Sequence, residues 1–297
     1  MLKRLNKCPL CKSGHFLNYQ TIKDFAVSQE DFILCHCQEC NLLFTNPRPG
    51  KNSIAKYYEF DEYYSHSDDS NSFISKIYNQ IRQINIKKKY KLISSLGTDK
   101  SILDIGCGTG ELLKFFQSKN WKVSGIEPSK TARKLAEEKL KVQIAEELEN
   151  IPSTEKFDII TLFHVLEHVH GLRKAVKNVI NILKSNGYIL IALPNHQSPD
   201  ALKYKEYWAG WDVPRHLYHF DTKSFDNLAN KFNLQIVERY PMTFDSYYVS
   251  LLSEKYLNPE NQNLTSLAKS FISGLDSNMK AKESGNYSSI LYILKKK

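Results

Sequence analysis

The sequence predicts an open, mostly parallel α/β sheet, and three observations carry that expectation. From Ser101 onward, short apolar runs alternate with amphipathic stretches, the pattern of repeated βαβ units. One run, Ile102-Leu103-Asp104-Ile105, passes straight into a glycine-rich turn and then a helical segment. Seven runs have strand length, the count expected when a hairpin closes one edge with an antiparallel last strand.

Taken in order, residues 1–50 hold five of the six cysteines and end in the turn-rich Asn46-Pro47-Arg48-Pro49-Gly50. Residues 51–95 are rich in Tyr, Lys and Ile. Ile74, Ile77, Tyr78, Ile81 and Ile84 recur at helical spacing, which predicts a helical bridge. The expected strands are Ser101–Ile105, Lys122–Glu127, Lys141–Ile144, Phe157–Leu162, Tyr188–Leu193, Leu234–Tyr240 and Ser289–Leu294. Residues 241–286 interrupt the last two and read as a partly helical insertion, a lid or cap. The division expected is therefore 1–50, 51–95 and 96–297.

Apolar and charged fractions, 41% and 25%, are those of a soluble globular chain. The apolar run Tyr188–Leu193 is far too short to span a bilayer. The basic start, Met1 to Cys11, lacks the apolar stretch of a signal peptide, so a cytoplasmic location is expected. The net charge of +9 raises nucleic acid as a partner. However, the lysines are widely spread. The runs Lys87–Lys89 and Lys295–Lys297 lack the arginines and interleaved aromatics of an RNA-reading surface.

Cys8-Pro9-Leu10-Cys11 and Cys37-Gln38-Glu39-Cys40 are two C-x2-C pairs about 25 residues apart. They supply four thiolates, the number a tetrahedral structural zinc site requires, so Cys8, Cys11, Cys37 and Cys40 are the expected metal ligands. Cys35, His36 and His15 are possible substitutes for one of them. Disulfides are the competing interpretation, and no secretion signal supports them.

The turn Gly106-Cys107-Gly108-Thr109-Gly110 leads into Glu111-Leu112-Leu113. Its glycines let backbone approach a ligand closely. A dinucleotide fingerprint would carry a third glycine where Glu111 stands, and Asp104 adds a carboxylate just before the loop. A pyrophosphate would be repelled there, whereas a cationic ligand would be favoured. Glu127, 23 residues after Asp104 and followed by Pro128, ends the next strand, where an acid can accept bonds from both ribose hydroxyls.

Asp104 through Gly110, with Glu127 and the Leu183-Lys184-Ser185-Asn186-Gly187-Tyr188 turn, resembles the class I methyltransferase pattern over roughly residues 90–297. Ser185 and Asn186 replace the usual Pro and first Gly of that turn. The two C-x2-C pairs ahead of Phe44-Thr45-Asn46-Pro47-Arg48-Pro49 resemble the zinc-knuckle branch of the family. The resemblance implies a Rossmann-like seven-stranded sheet and S-adenosylmethionine as cofactor. By the same resemblance, residues 145–148, with Glu146 among them, line the adenine, and Phe163 and His164 flank the methionine portion. Members of that branch act on sugars or other small metabolites, so the resemblance implies O- or C-methylation of a small molecule.

His164-Val165-Leu166-Glu167-His168 follows the fourth expected strand, with three side chains sharing a face if helical. The string also matches the H-x-x-E-H motif of inverted zinc peptidases, a match that fails on context because it follows a sheet strand in a cofactor-binding frame. Either His164 touches the cofactor while Glu167 and His168 hold the loop, or Glu167 and His168 join a later His around a divalent metal. The acid–His pattern resembles quinone and RNA 2′-O-methyltransferases, which usually carry Glu where this chain has His164.

The segment Trp208 to Phe220 follows the fifth expected strand, and ligands of such sheets bind outside the carboxyl ends of strands. It concentrates two tryptophans with Asp212, Arg215, His216 and His219. His216 is the expected general base, His219 its substitute, and Arg215 the group that orients a polar or anionic acceptor. The bland alternative is a packed, hydrogen-bonded loop. Methyl transfer is an in-line displacement with a neutral leaving group, so the protein mainly aligns the nucleophile and excludes water. Two competitors stand beside this reading: an rRNA or tRNA methyltransferase gripping RNA through the knuckle, and a non-catalytic cofactor-binding module. Phe163-His164-Val165-Leu166 replaces the stacking motif a base methyltransferase would show, and intact Asp104, glycines and Glu127 oppose the second.

Overall fold

The computed structural model describes residues 2–58, 73–97, 99–260 and 264–297. The strands are β1 (Leu2–Lys3), β2 (Phe16–Lys23), β3 (Asp31–Cys37), β4 (Leu43–Thr45), β5 (Arg48–Pro49), β6 (Ser101–Ile105), β7 (Lys122–Ile126), β8 (Phe157–Phe163), β9 (Leu183–Pro194), β10 (Tyr218–His219), β11 (Leu234–Pro241) and β12 (Ser289–Lys296). The helices are α1 (Phe73–Ser94), α2 (Glu111–Gln117), α3 (Lys130–Leu140), α4 (Leu172–Ile182), α5 (Pro199–Tyr204), α6 (Thr222–Lys231), α7 (Asp245–Leu257) and α8 (Leu264–Ser284).

The main sheet has six strands in the order β11-β12-β9-β8-β6-β7, and β6 pairs in parallel with both β7 and β8. The mixed α/β class with a central parallel sheet is thus as the sequence predicts, but the strand count is not. Among the described residues, the strand expected at Lys141–Ile144 does not form. Lys141 caps α3 in a left-handed conformation, φ 58°, and the chain reaches β7 only through the Ile126–Ala145 bridge. Ala145 exchanges two backbone bonds there, accepting from Glu127 and donating to Gly125, and the ladder stops. Strand β9 also begins earlier than expected, so residues 184–187 lie within a strand rather than a turn.

The chain gathers into two compact units that do not follow the three segments read from the sequence. One comprises Phe60–Phe163, Lys174–Leu190 and Leu294–Lys297. Its β8 is mostly apolar because both faces are covered, and Phe157, Ile159, Ile160 and Leu162 are all buried. Helix α3 starts where Ser129 accepts the Ala132 N–H, an N-cap that satisfies one orphan donor of the first turn. Helix α1 buries Ile86 and Ile93 and leaves Ile84 exposed. The side chains of Ile74, Ile77 and Tyr78 lie outside the described residues.

The other unit comprises Met1–Glu59, His164–Arg173 and Ile191–Ile293. Its four-stranded sheet runs β10-β4-β3-β2, so the cysteine-bearing N-terminal segment is completed by a strand from the Trp208–Phe220 segment. Beneath it, Ile22, Phe32, Leu34, Leu43 and Tyr57 pack with Ala201, Tyr204, Trp208, Trp211 and Val213. Fully burying a residue such as Leu34 or Phe32 contributes about 1.5–3 kcal/mol, so this cluster fixes the loop as firmly as a core. The insertion at 241–286 is largely helical. It contains α7 and α8, and Gly274 lies where a Cβ would stand 2.9 Å from the Tyr247 Cα, so glycine permits the two helices to approach.

Candidate functional site

In the unit built on β6, β7 and β8, the glycine turn is held by main chain. The Gly106 and Cys107 N–H groups both donate to the Ile126 carbonyl, at 2.7 and 3.0 Å. Gly106, Gly108 and Gly110 all have positive φ, between 54° and 77°, a region that penalises any side chain. A Cβ on Gly108 would meet open space, so the glycine leaves a hollow beside the loop, whereas at Gly110 it would crowd Leu140 at 3.0 Å.

Asp104 is buried, and its register partner on β8 is Thr161, whose hydroxyl donates to the Asp104 carboxylate at 2.6 Å. Burial raises Asp104 to about 6, with Glu127 adding to the effect and Thr161 and Lys89 opposing it. Glu127 spends both oxygens on the backbone: one accepts from Gly108 N–H and the other from Ser129 N–H, each at 2.8 Å. It therefore braces the glycine turn while keeping lone pairs for a ligand. Burial, with Asp104 and Glu127 nearby, pushes the Cys107 thiol far up, so it acts as a small apolar filler. Arg133 ties this region together, donating to the Glu127 and Pro128 carbonyls and to the Glu146 carboxylate at 3.0 Å. Glu111 pairs closely with Lys139, which also donates to the Thr109 carbonyl. The repulsion assigned to Glu111 on sequence grounds is therefore neutralised, and Asp104 alone carries that argument. Phe163 lies under the Lys89 ammonium, 3.6 Å from its ring centroid.

These features fit S-adenosylmethionine. The buried Asp104 carboxylate is destabilised by its surroundings and so favours a cationic ligand, and Glu127 has acceptor capacity left for hydroxyls.

In the other unit, Cys8, Cys11, Cys37 and Cys40 bring their sulfurs within 4.8 Å of one another, and all are free thiols. The two pairs are built alike. Lys12 N–H donates to the Cys8 carbonyl and Asn41 N–H to the Cys37 carbonyl, with Lys12 and Asn41 in left-handed conformations. Cys35 instead contacts Asn18 and the Asn46 carbonyl, His36 pairs with Asn41, and His15 faces Glu39, so none joins the cluster. The four-sulfur set fits a tetrahedral zinc ion.

Past β8, His164 adopts φ 56°, unusual for a non-glycine residue and worth reading as functional or strained. Its ring lies between two carboxylates, with Nε2 2.9 Å from Asp245 and Nδ1 3.6 Å from Glu167. Burial opposes protonation, but the two acids prevail and raise His164 to about 10. Glu167 is buried, and among the described residues neither carboxylate oxygen has a hydrogen-bond partner. His216 Nε2 lies 4.0 Å from Glu167 and 3.8 Å from Asp212. Burial and the neighbouring His216 hold His168 down at about 4, so it is neutral at physiological pH.

Arg215 departs from the expected acceptor-orienting role. Its guanidinium donates to Asp212 at 2.7 Å, to Asp24 at 3.0 Å and to the Tyr57 carbonyl at 2.9 Å, and the residue is buried. That is the arrangement of a clamp. His219 is also buried and bonds Thr45, whose hydroxyl donates to the His216 carbonyl. Burial pushes His219 well below its ordinary value, so it is neutral. Only His216 of the three expected residues faces other ionisable groups without being wholly engaged. Sequence reading missed Asp24, Thr161, Arg133 and Asp245. Thr161 alone carried a signal, a polar residue inside an apolar strand.

The profile of a methyltransferase-domain family matches residues 78–239, more than half of the chain. A ubiquinone biosynthesis O-methyltransferase of Rhodopseudomonas palustris is 33% identical over 129 residues, 40% of this chain and 51% of that protein, so the match spans about half of that relative's length. One of the same description from Rickettsia bellii is 25% identical over 218 residues, 67% of this chain and 90% of that protein. Among solved structures, a magnesium protoporphyrin IX methyltransferase from Synechocystis with bound SAH shares the fold at TM-score 0.53 and 12% identity, over 82% of this chain and 99% of that one. No helix among the described residues is long and apolar enough to cross a membrane.

Proposed function

Given that this chain belongs to the methyltransferase-domain family and is an S-adenosylmethionine-dependent methyltransferase, we propose that it methylates a hydroxyl oxygen of a small molecule. The observation that carries the reading is the cluster of Glu167, His168 and His216, which sets two imidazoles beside a buried carboxylate. Such a group can address the proton of an acceptor hydroxyl, which a thioether or tertiary-amine acceptor would not need. The curated relatives, both described as O-methyltransferases, support the same chemistry.

In this reading Asp104, Gly106, Cys107, Gly108, Gly110, Glu127, Pro128, Glu146 and Phe163 hold or flank the cofactor. When bound, S-adenosylmethionine supplies a methyl group on a sulfonium carbon and leaves as a neutral sulfide. The chain's own tasks are alignment, exclusion of water and handling of the acceptor proton. His216 is positioned for that last task, with Asp212 and Glu167 facing its Nε2. Arg215 serves as a positioning residue that ties Asp212 to Asp24. Cys8, Cys11, Cys37 and Cys40 hold a structural zinc ion.

The test pairs calorimetric titration of S-adenosylmethionine with a labelled-methyl assay. The acceptors are a panel of phenolic and sugar hydroxyls beside bulk RNA. The expected result is cofactor binding that Glu127→Ala abolishes, and label appearing on a small-molecule oxygen with loss of turnover in His216→Ala at unchanged cofactor affinity. Label recovered on RNA, or on carbon or nitrogen, would overturn it.

A further inference from the structure

We infer that the outer face of helix α8 is the contact surface of a homodimer, in which a second copy of this chain packs its own α8 antiparallel against it. Leu267, Phe271, Ile272, Leu275 and Met279 lie on that face and are all exposed, with Phe271, Ile272 and Met279 at 60%, 63% and 60%. Residues three and four apart share a side of a helix, so the five form one stripe. Tyr247 of α7 stacks on Phe271 with ring centroids 5.0 Å apart. The exposed Leu251 follows Tyr247 by one turn, so the patch continues onto α7.

The opposite face of α8 is small and polar, and it is engaged. Ser277 donates to Asp200 at 2.7 Å, Lys203 donates to Ser273 at 2.8 Å, and the Ser246 hydroxyl donates to the Gly274 carbonyl at 3.1 Å. Ser270, Ser273, Ser277 and Ala281 are buried. Rotating α8 to hide its apolar stripe would strip these bonds and force large side chains into space sized for serine and glycine. The stripe therefore stays outward in the folded chain.

Area and pattern select the occupant. At roughly 200 Å² for a large side chain, the six exposed residues present about 600 Å² of apolar surface. The largest patch on a typical monomer is about 300–600 Å², and a small stable interface takes about 600 Å² from each partner. Ala268, Ile272, Leu275 and Met279 recur at spacings of four, three and four, the seam that seats the side chains of a second helix. Charges of both signs border the seam: Lys269, Asp276 and Glu283. A helix lying on a lipid surface would be bordered mainly by Lys and Arg. Lys269 and Glu283 each stand seven positions from Asp276. A twofold axis at Asp276 therefore sets Lys269 of each copy opposite Glu283 of the other, as a self-complementary contact requires. The two Asp276 carboxylates approach the axis, but each is already paired with its own Lys280 at 2.7 Å.

Sedimentation equilibrium of the full chain, run across a wide concentration range, reads the association directly. The expected mass is twice the 34.4 kDa of one chain at the upper concentrations, falling toward one chain on dilution. Ile272→Lys combined with Met279→Lys should be monomeric throughout. Both positions are exposed, so its circular dichroism and thermal melt should match the wild type. Lys269→Glu should raise the dissociation constant several-fold, and Glu283→Lys added to the same chain should restore it. A wild-type chain that is monomeric at every concentration would overturn the inference. So would a dimer that survives the double lysine change, or a charge reversal that the second change does not rescue. A monomer that instead sediments with anionic phospholipid vesicles would assign the face to a lipid surface and overturn it equally.

Discussion

Replacing Arg215 by Met tests whether its guanidinium is a structural clamp or a hand held out to the acceptor. Arg215 is 8% exposed at the side chain and its partner Asp24 is 0% exposed. Removing one member of a buried pair typically costs about 3–5 kcal/mol, because the other charge is left behind. Asp24 would not be left bare: it also accepts the Ala26, Val27 and Ser28 N–H groups and the Ser28 hydroxyl. The loss should therefore fall near the low end, about 3 kcal/mol. With a urea slope of about 3 kcal/mol/M, the midpoint drops by about 1 M. Trp208 and Trp211 sit in the core cluster of the same unit as Arg215, and a Trp121→Phe background removes the third tryptophan, so fluorescence reads that unit alone. Cofactor affinity should be unchanged. A midpoint shift below about 0.3 M with turnover reduced a hundredfold would refute the clamp and restore the acceptor-orienting role.

Three further outcomes follow from the same geometry. Asp104 has an ordinary value of 3.8 and stands at about 6 in the folded protein, so its contribution to stability is full below 3.8 and is lost as pH rises through about 6. That difference is about 3 kcal/mol at neutral pH. A cationic ligand relieves it, so S-adenosylmethionine affinity should rise up to about tenfold per pH unit toward 6, and calorimetry of Asp104→Asn should show a flat profile. His164 behaves with the opposite sign: its value rises from 6.5 to about 10, so its contribution is full below 6.5 and disappears as pH climbs through about 10. Thermal melts of Asp245→Asn should lose that alkaline decline. Finally, chelation or Cys37→Ser should remove about one structural ion per chain and lower the melting temperature of the Trp208 and Trp211 signal, and a melt indifferent to chelator would refute the structural role of the cysteine set.

The cofactor half of the molecule was legible because its chemistry is local. The strand, glycine turn and helix around Asp104 are contiguous, and an acid ending the next strand is found by counting. The cysteine set was legible for the same reason, since each pair closes its own turn. The Lys141–Ile144 strand was misjudged because propensity does not show where a helix cap turns the chain away. Arg215 was misjudged because its partner Asp24 lies 191 positions earlier, a distance over which no periodicity speaks. His216 was singled out by its company in a loop rich in Trp, Asp and Arg, but the tautomer that decides what it offers depends on the Gly210 carbonyl, and a backbone acceptor leaves no mark in the sequence.

The pairing of β10 with β4 has a consequence for how this protein could change over time. Tyr218 opposes Phe44 and His219 opposes Leu43, while Thr45 N–H bonds the Leu217 carbonyl. The cysteine segment thus supplies three strands of one sheet and the loop bearing His216 supplies the fourth. An N-terminal module of this kind would not be portable: moved to another enzyme, it would lose its last strand, and the enzyme left behind would lose the template for its loop. Inheritance should therefore keep the two together, and a change that loosens the cysteine segment should loosen the loop with it.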